Sequence, residues 1–383
     1  TRSAPQIADD VAQLGAFLGT GSGADASFAQ LTSLKTTFPQ ALDVLADVVQ
    51  HPQFPQEEVE RQRASRLGEL AQQRENAAAV AARVEAAALY GPQHPYGTIQ
   101  LGTEAALKAT SRADLQAFWQ QHYVPNNAAL IVSGDIDAAQ LKSLAEAKFG
   151  NWKAGAVAPS VTAAPATTKA RLILVDKPGA PQTAMRLSTI AVARATPDYA
   201  PLQVMNAALG GLFTSRLSNN LREEKGYTYG VRSQFQYRSQ PGPFSIAAGV
   251  RTDVTGPAVS ETFKEIRAMI AKPLTARELS NARNSQVLSL PGQFETNASI
   301  SASMANTYIY GLGLDYYATL PQRFAGVTDK QVQQVAKKYL QPEKLIVIGV
   351  GDQAKIAPQL SKLKLAPVEL RDAEGNVKEG NVK

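Results

Sequence analysis

The sequence predicts an α+β protein made of two copies of one plan, and three observations carry that expectation. A chain of 383 residues is too long for one ordinary core. Ser111–Asp135 and Thr328–Asp352 are each 25 residues long and align without a gap, setting Pro125 opposite Pro342, Gly134 opposite Gly351 and Asp135 opposite Asp352. The long helical stretches before them correspond too: Tyr90-Gly91 answers Tyr310-Gly311, Glu58 answers Glu278 and Arg63 answers Arg283. Between the copies, Ala154–Lys169 is rich in Ala, Pro and Thr, nearly uncharged, and reads as a linker. Domains are therefore expected at 1–153 and 170–383, joined by 154–169.

In order, Ser3 caps and Pro5 opens a helix with Ile7, Val11 and Leu14 at helical spacing, and Gly15 ends it. Phe17 to Leu34 reads as extended chain interrupted at Gly19-Thr20-Gly21-Ser22-Gly23. That cluster follows a helix and enters a strand, the reverse of a dinucleotide site, so it reads as a turn. Phe38–Val49 places Leu42, Leu45, Val48 and Val49 on one helical face, and His51-Pro52 stops it. A long helical run from Gln56 to Tyr90 ends at Gly91-Pro92, and the helix Ser111–His122 and strand Ala128–Val132 close the first half.

In the second half, Arg171–Val175 and Thr183–Thr189 read as strands and Asp198–Leu209 as a helix. Val231–Tyr237 and Phe244–Val250 read as strands around Pro241-Gly242-Pro243. Helix Gly256–Ile270, a long helix Thr275–Tyr310 broken at Pro291-Gly292, helix Asp329–Leu340 and strand Leu345–Val350 follow. The tail after Lys364 reads as polar and loose. The second half spends Arg171 to about Thr214 on two strands and a helix before it reaches the position equivalent to Thr1. By that comparison roughly 45 residues are expected upstream of Thr1 or from another chain, because an open sheet edge is costly.

Composition narrows the partners. Apolar residues at 44% beside 19% charged ones describe a soluble globular protein, and no membrane span is expected because no run of roughly 18 apolar residues exists. The absence of cysteine removes disulfides, thiol nucleophiles and thiolate metal sites together. The net charge of +6 is scattered among carboxylates, with no basic run, so nucleic acid is not expected as a partner.

The chemistry gathers in Leu221-Arg222-Glu223-Glu224-Lys225-Gly226-Tyr227-Thr228-Tyr229-Gly230-Val231. It reads as a helix end closed by a left-handed Gly226 and followed by a strand. Arg222 and Tyr229 fall near one turn, where a guanidinium fork and a phenol can meet on a single peptide carbonyl. A surface ion pair and a core tyrosine are the ordinary alternative.

With Gly210-Gly211-Leu212-Phe213-Thr214-Ser215-Arg216-Leu217 before it, this stretch resembles the C-terminal-half signature of the pitrilysin/insulinase zinc peptidases, family M16. The likeness is to the small bacterial M16B branch, similar to the mitochondrial processing peptidase, and runs from end to end of the chain. It implies two homologous domains, each a mainly antiparallel sheet packed against helices, the first lacking its N-terminal strands and helix here. It also implies that Arg222 and Tyr229 bind the substrate backbone beside the zinc. In the family a His-x-x-Glu-His helix supplies two metal ligands and the general base, and a later glutamate supplies the third ligand. Glu69 falls at that later position, with Ser289 as its second-half counterpart.

The sequence departs from the active pattern. His-x-x-Glu-His is absent, and His51, His94 and His122 are unpaired at ligand spacing. The Asn-Ala-x-Thr pattern of active relatives is replaced by Gly19-Thr20-Gly21-Ser22-Gly23-Ala24-Asp25, which resembles the non-catalytic branch. The glycine-rich loop of the mitochondrial non-catalytic subunit is reduced to Gly210-Gly211. The resemblance therefore implies the non-metal subunit of a heterodimer: no cofactor on this chain, zinc in a partner that bears His-x-x-Glu-His, and unfolded peptides as substrate within a two-chain clamshell. Two alternatives stay open, a structural or assembly subunit without peptidase work, and a self-sufficient homodimer whose His-x-x-Glu-His lies upstream of Thr1. The cysteine-free, Ala/Gln-rich chain and its likeness to exported bacterial members imply the periplasm, with the cytoplasm as alternative.

Overall fold

The computed structural model describes residues 1–157, 163–165 and 169–378, so the expected linker Ala154–Lys169 lies partly outside the described residues. The first half runs α1 (Ala4–Gln13), β1 (Phe17–Ser22), β2 (Ser27–Thr32), α2 (Phe38–Gln50), α3 (Gln56–Glu75), α4 (Ala77–Tyr90), α5 (Glu104–Ala109), α6 (Arg112–His122) and α7 (Ala138–Phe149). The second runs β3 (Arg171–Asp176), β4 (Gln182–Val192), α8 (Tyr199–Asn206), β5 (Thr228–Phe235), β6 (Gly242–Arg251), α9 (Thr255–Ala271), α10 (Ala276–Ser289), α11 (Asn297–Ile309), α12 (Tyr316–Ala325), α13 (Asp329–Tyr339), β7 (Ile346–Gly351), α14 (Gln353–Ser361) and β8 (Val368–Arg371).

The duplication is visible in side-chain detail. Helices α6 and α13 each have 11 residues, each opens on a capping box, at Ser111/Asp114 and Thr328/Gln331, and each leads to a short 3₁₀ turn opened by a proline, Pro125 or Pro342. Arg63 donates from Nη2 to the carbonyl of Thr110 at 2.8 Å, and Arg283 donates from Nε to that of Val327 at 2.6 Å. Those carbonyls precede the two caps, so corresponding arginines tie corresponding helix starts.

The chain forms two compact units, neither continuous in sequence. One comprises Thr1–Leu67, Thr103–Ser160 and Pro291–Leu314; the other comprises Gly68–Gly102, Val161–Leu290 and Asp315–Lys383. Helix α4 thus belongs with the second-half sheet, and its counterpart α11 belongs with the first-half elements.

In the first unit β1 and β2 form an antiparallel hairpin from Phe17↔Thr32 to Ser22↔Ser27. Its turn lies later than the glycine cluster suggests: the Gly23 N–H donates to Ala26 O at 2.7 Å, and Gly19 and Gly21 sit inside β1. The Phe28 ring lies over Gly21, where an added Cβ would come within 2.5 Å of it. Helix α2 contributes the buried Ala41, Leu42, Val44 and Leu45 and packs on α1, β2 and α7. The expected strand Ala128–Val132 does not form. Its counterpart β7 is bonded to β4 on one side and β3 on the other, whereas Ala128–Val132 has no ladder partner among the described residues. A strand is made by pairing, so the pattern alone leaves it as coil.

The second unit is built on a six-stranded sheet of order β5-β6-β4-β7-β3-β8. The first three neighbour pairs are antiparallel, while β7-β3 and β3-β8 are parallel. One face is covered by α4, whose Val80, Ala81, Val84 and Tyr90 pack on Ile173, Val175, Ile346, Ile348 and Val350. Leu172, Leu174, Met185 and Leu187 alternate to the other face, under α8, α9 and α14. Two expectations are corrected here. The tail after Lys364 supplies β8, paired in parallel with β3. The helical run Gln56–Tyr90 breaks at Asn76, whose side chain accepts from the Ala78 and Ala79 N–H groups at 2.9 and 3.2 Å and so starts α4 afresh.

Candidate functional site

Among the described residues strand β5 ends the sheet, paired with β6 alone. Before it the chain is wider than an α-helix: Ala207–Gly211 and Ser218–Glu224 are both π-helical, and Arg222 lies on the second. Such wide turns concentrate at functional sites because they are sparingly stable and re-aim the side chains they carry. The second turn is pinned by Leu221, fully buried, and by Asn220, whose Nδ2 donates to Glu261 at 2.8 Å and to Glu265 at 2.7 Å on α9. It closes as the sequence suggests, with Gly226 at φ 60° and the Tyr227 N–H donating to Leu221 O at 2.8 Å.

A bulge then changes the phase of β5. Thr228 opposes Val250 and Val231 opposes Ala248, leaving one residue more on β5 than on β6. The Thr228 hydroxyl holds it, accepting from the Gly230 N–H at 3.1 Å and lying 2.7 Å from Gly249 O. Buried and exposed residues would otherwise alternate strictly; the extra residue lets Tyr229, Arg232 and Gln234 all face solvent while Val231, Ser233 and Phe235 face the core.

The structure brings Arg222 and Tyr229 together. The Arg222 Cζ lies 5.4 Å from the Tyr229 ring centroid and 4.3 Å from that of Phe213. Tyr229 is 89% exposed and Phe213 67%, so the tyrosine is no core residue. The nearest carboxylate oxygen is that of Glu223 at 3.5 Å, and among the described residues no hydrogen bond engages the guanidinium. Its donors are therefore available for an incoming acceptor. Phe213 is the member that sequence reasoning passed over; its signal was a large apolar residue in a turn between Gly-Gly and Ser-Arg-Leu.

Among the described residues no comparable gathering exists for a metal. Glu69 is exposed on α3, His51 lies 3.5 Å from Asp47, the His122 ring lies tilted 4.5 Å from that of Phe118, and the buried His94 accepts at Nδ1 from the Tyr96 N–H at 3.0 Å. Among the described residues no three His, Cys, Asp or Glu side chains are placed to hold a metal ion, so those residues do not fit a zinc site.

Residues 1–100 match the family model for insulinase (peptidase family M16), and residues 109–286 match that for the peptidase M16 inactive domain. The chain belongs to peptidase family M16. A relative, an uncharacterized zinc protease of Mycobacterium tuberculosis, is 27% identical over 344 residues, 89% of this chain and 78% of that protein. The uncharacterized zinc protease YmxG of Bacillus subtilis is 26% identical over 313 residues, 81% of this chain and 75% of its own length. The crystal structure of a peptidase M16 inactive domain from Pseudomonas fluorescens superposes with a TM-score of 0.87 at 26% identity, covering 92% of this chain and 84% of that one.

Within the same M16 turn, Arg216 binds Glu278 in bidentate fashion, at 2.6 and 3.1 Å, and thereby ties the loop after Gly211 to the start of α10. The bond from Arg216 is the largest influence on this carboxyl; partial burial opposes it, bonds from Thr275 assist it, and the result is a drop from the ordinary 4.5 to about 2. A carboxyl lowered by folding stabilises fully above its unfolded value and loses that contribution as pH falls through its folded value. The difference in urea midpoint between the native chain and Glu278→Gln should therefore be full above pH 4.5 and vanish toward pH 2. A difference independent of pH would remove this assignment.

Proposed function

We propose that this chain is the substrate-binding subunit of an M16 metallopeptidase. Arg222 and Tyr229 take the main chain of an extended peptide at the β5 edge, and a partner subunit that bears His-x-x-Glu-His supplies the zinc and the general base. The observation that carries the reading is the unspent guanidinium beside an exposed phenol at a sheet edge. An extended peptide can add to such an edge by backbone bonds with little demand on its side chains, and a bidentate fork suits a peptide carbonyl. The match of residues 109–286 to a model described as inactive supports placing the metal chemistry elsewhere.

The test is reconstitution. The purified chain alone should bind no stoichiometric zinc and cleave no peptide, and an unfolded protein should be cut once a His-x-x-Glu-His partner is added. Equal cleavage of the same protein when folded would count against selection of extended chain. Stoichiometric zinc and full activity without a partner would favour the self-sufficient homodimer. A complex that assembles and never cuts would favour the structural subunit.

A further inference from the structure

We propose that Phe213 is a positioning residue for Arg222, holding the guanidinium by its flat face so that the N–H edge stays free for a peptide carbonyl. The proposal rests on the peptide-binding reading above and extends it to a residue outside the Arg222/Tyr229 pair.

Arg194, Arg238, Arg267 and Arg323 of this unit also lie over rings, while three other arginines show the opposite arrangement and are held by their edges. Arg216 is fixed by Glu278, Arg186 donates to Glu85 at 2.6 Å, and Arg171 donates to Glu369 at 2.8 Å. Each spends its donors on an internal carboxylate. Arg222 differs from these three: among the described residues its one ion-pair partner, Glu223, stands at 3.5 Å, and close by are two aromatic rings, that of Phe213 nearer than that of Tyr229. A guanidinium over a ring is attracted by the ring's charge distribution and by stacking, neither of which consumes an N–H. Orientation is thereby gained with the fork left unoccupied.

The placement of Phe213 suits that task. An exposed phenylalanine gains little from burial, so its position is set by the loop that carries it. That loop is tight on both sides. A Cβ on Gly210 would lie 2.6 Å from Ser233 Oγ of β5, and one on Gly211 would lie 3.0 Å from Asn206. Ser215 and Leu217 are buried behind it, and the Ser215 N–H donates to Leu212 O at 3.1 Å. Phe213 thus stands at the tip of a constrained turn with its ring centroid 4.3 Å from the Arg222 Cζ.

The test uses the full chain and a fluorescein-labelled, unstructured peptide, with binding followed by anisotropy. Phe213→Leu should weaken binding about two- to fivefold, the size of an exposed cation–π contact, and Phe213→Tyr should restore it. The Arg222 Nε–H proton resonance, displaced by the ring, should move toward its free position in Phe213→Leu and stay in Phe213→Tyr. In an Arg222→Ala background, Phe213→Leu should cost nothing more, because the ring acts through the guanidinium. Native binding by Phe213→Leu, in a protein where Arg222→Ala is impaired, overturns the proposal while leaving the peptide-binding reading intact. An equal loss from Phe213→Leu with and without Arg222 overturns it also, since the ring would then meet the peptide directly. If Arg222→Ala binds as the native chain does, the peptide-binding reading itself fails and this proposal falls with it.

Discussion

Arg222→Ala, assembled with a partner that carries the zinc helix, is expected to hydrolyse peptide with kcat/KM about ten- to a hundredfold below the unaltered pair. Charge-assisted hydrogen bonds to a carbonyl are worth roughly 1.5–3 kcal/mol, and about 1.4 kcal/mol corresponds to each factor of ten. The fold should notice the change little, because the guanidinium engages no hydrogen bond among the described residues, its carboxylate neighbour Glu223 stands at 3.5 Å, and the rings beside it are exposed. Thermal unfolding of the variant should match that of the native chain, which separates lost function from lost structure. Tyr229→Phe keeps the ring 5.4 Å from the Arg222 Cζ and removes the hydroxyl alone. A hydroxyl that meets the developing oxyanion lowers kcat more than it raises KM; one that holds the substrate carbonyl equally in ground and transition states raises KM. Full activity of both variants in a complex that assembles normally would end the substrate-binding role and leave a structural subunit.

How far the sequence discloses this site depends on the range of the interaction that makes each part. Local chemistry is legible. The cap at Ser3 and the left-handed Gly226 need only neighbours three or four residues away. The internal repeat is legible because it compares the chain with itself. Asn76 was hidden by composition: inside an Ala- and Gln-rich run it looks like one more polar helix residue, yet its side chain caps a new helix. Ala128–Val132 and β8 fail in opposite directions for one reason, since strand formation is decided by a partner far along the chain. Phe213 shows the limit most sharply. Its proximity to Arg222 is made by two π-turns and the close approach of Gly210 to β5, none of which has a residue signature of its own.

Glu85→Ala is expected to destabilise the second unit by about 3–5 kcal/mol, the usual cost of stripping one partner from a buried ion pair. Glu85 is 4% exposed on α4, over the sheet, where Arg186 Nη1 donates to it at 2.6 Å and the hydroxyls of Ser188 and Ser245 also donate. Ser188 and Ser245 stand opposite each other on β4 and β6, so one carboxylate gathers donors from two strands. Removing it strands a guanidinium and two hydroxyls beneath a helix, with water largely excluded. Glu60 gives the contrast: its carboxylate is half exposed where it pairs with Arg63 three residues on, and Glu60→Ala should cost far less than Glu85→Ala. Replacing Glu85 and Arg186 together by Leu and Met should recover much of the loss, because two apolar groups leave no charge unpaired. Urea midpoints of the four proteins decide the matter, and a cost for Glu85→Ala no larger than for Glu60→Ala would show that the cluster is solvated. Because among the described residues β6 alone holds β5, loosening Ser245 also reaches the strand that presents Tyr229. The Glu85 variant should accordingly lose stability first and peptide binding only as it unfolds, whereas Arg222→Ala loses binding from a chain as stable as the native one.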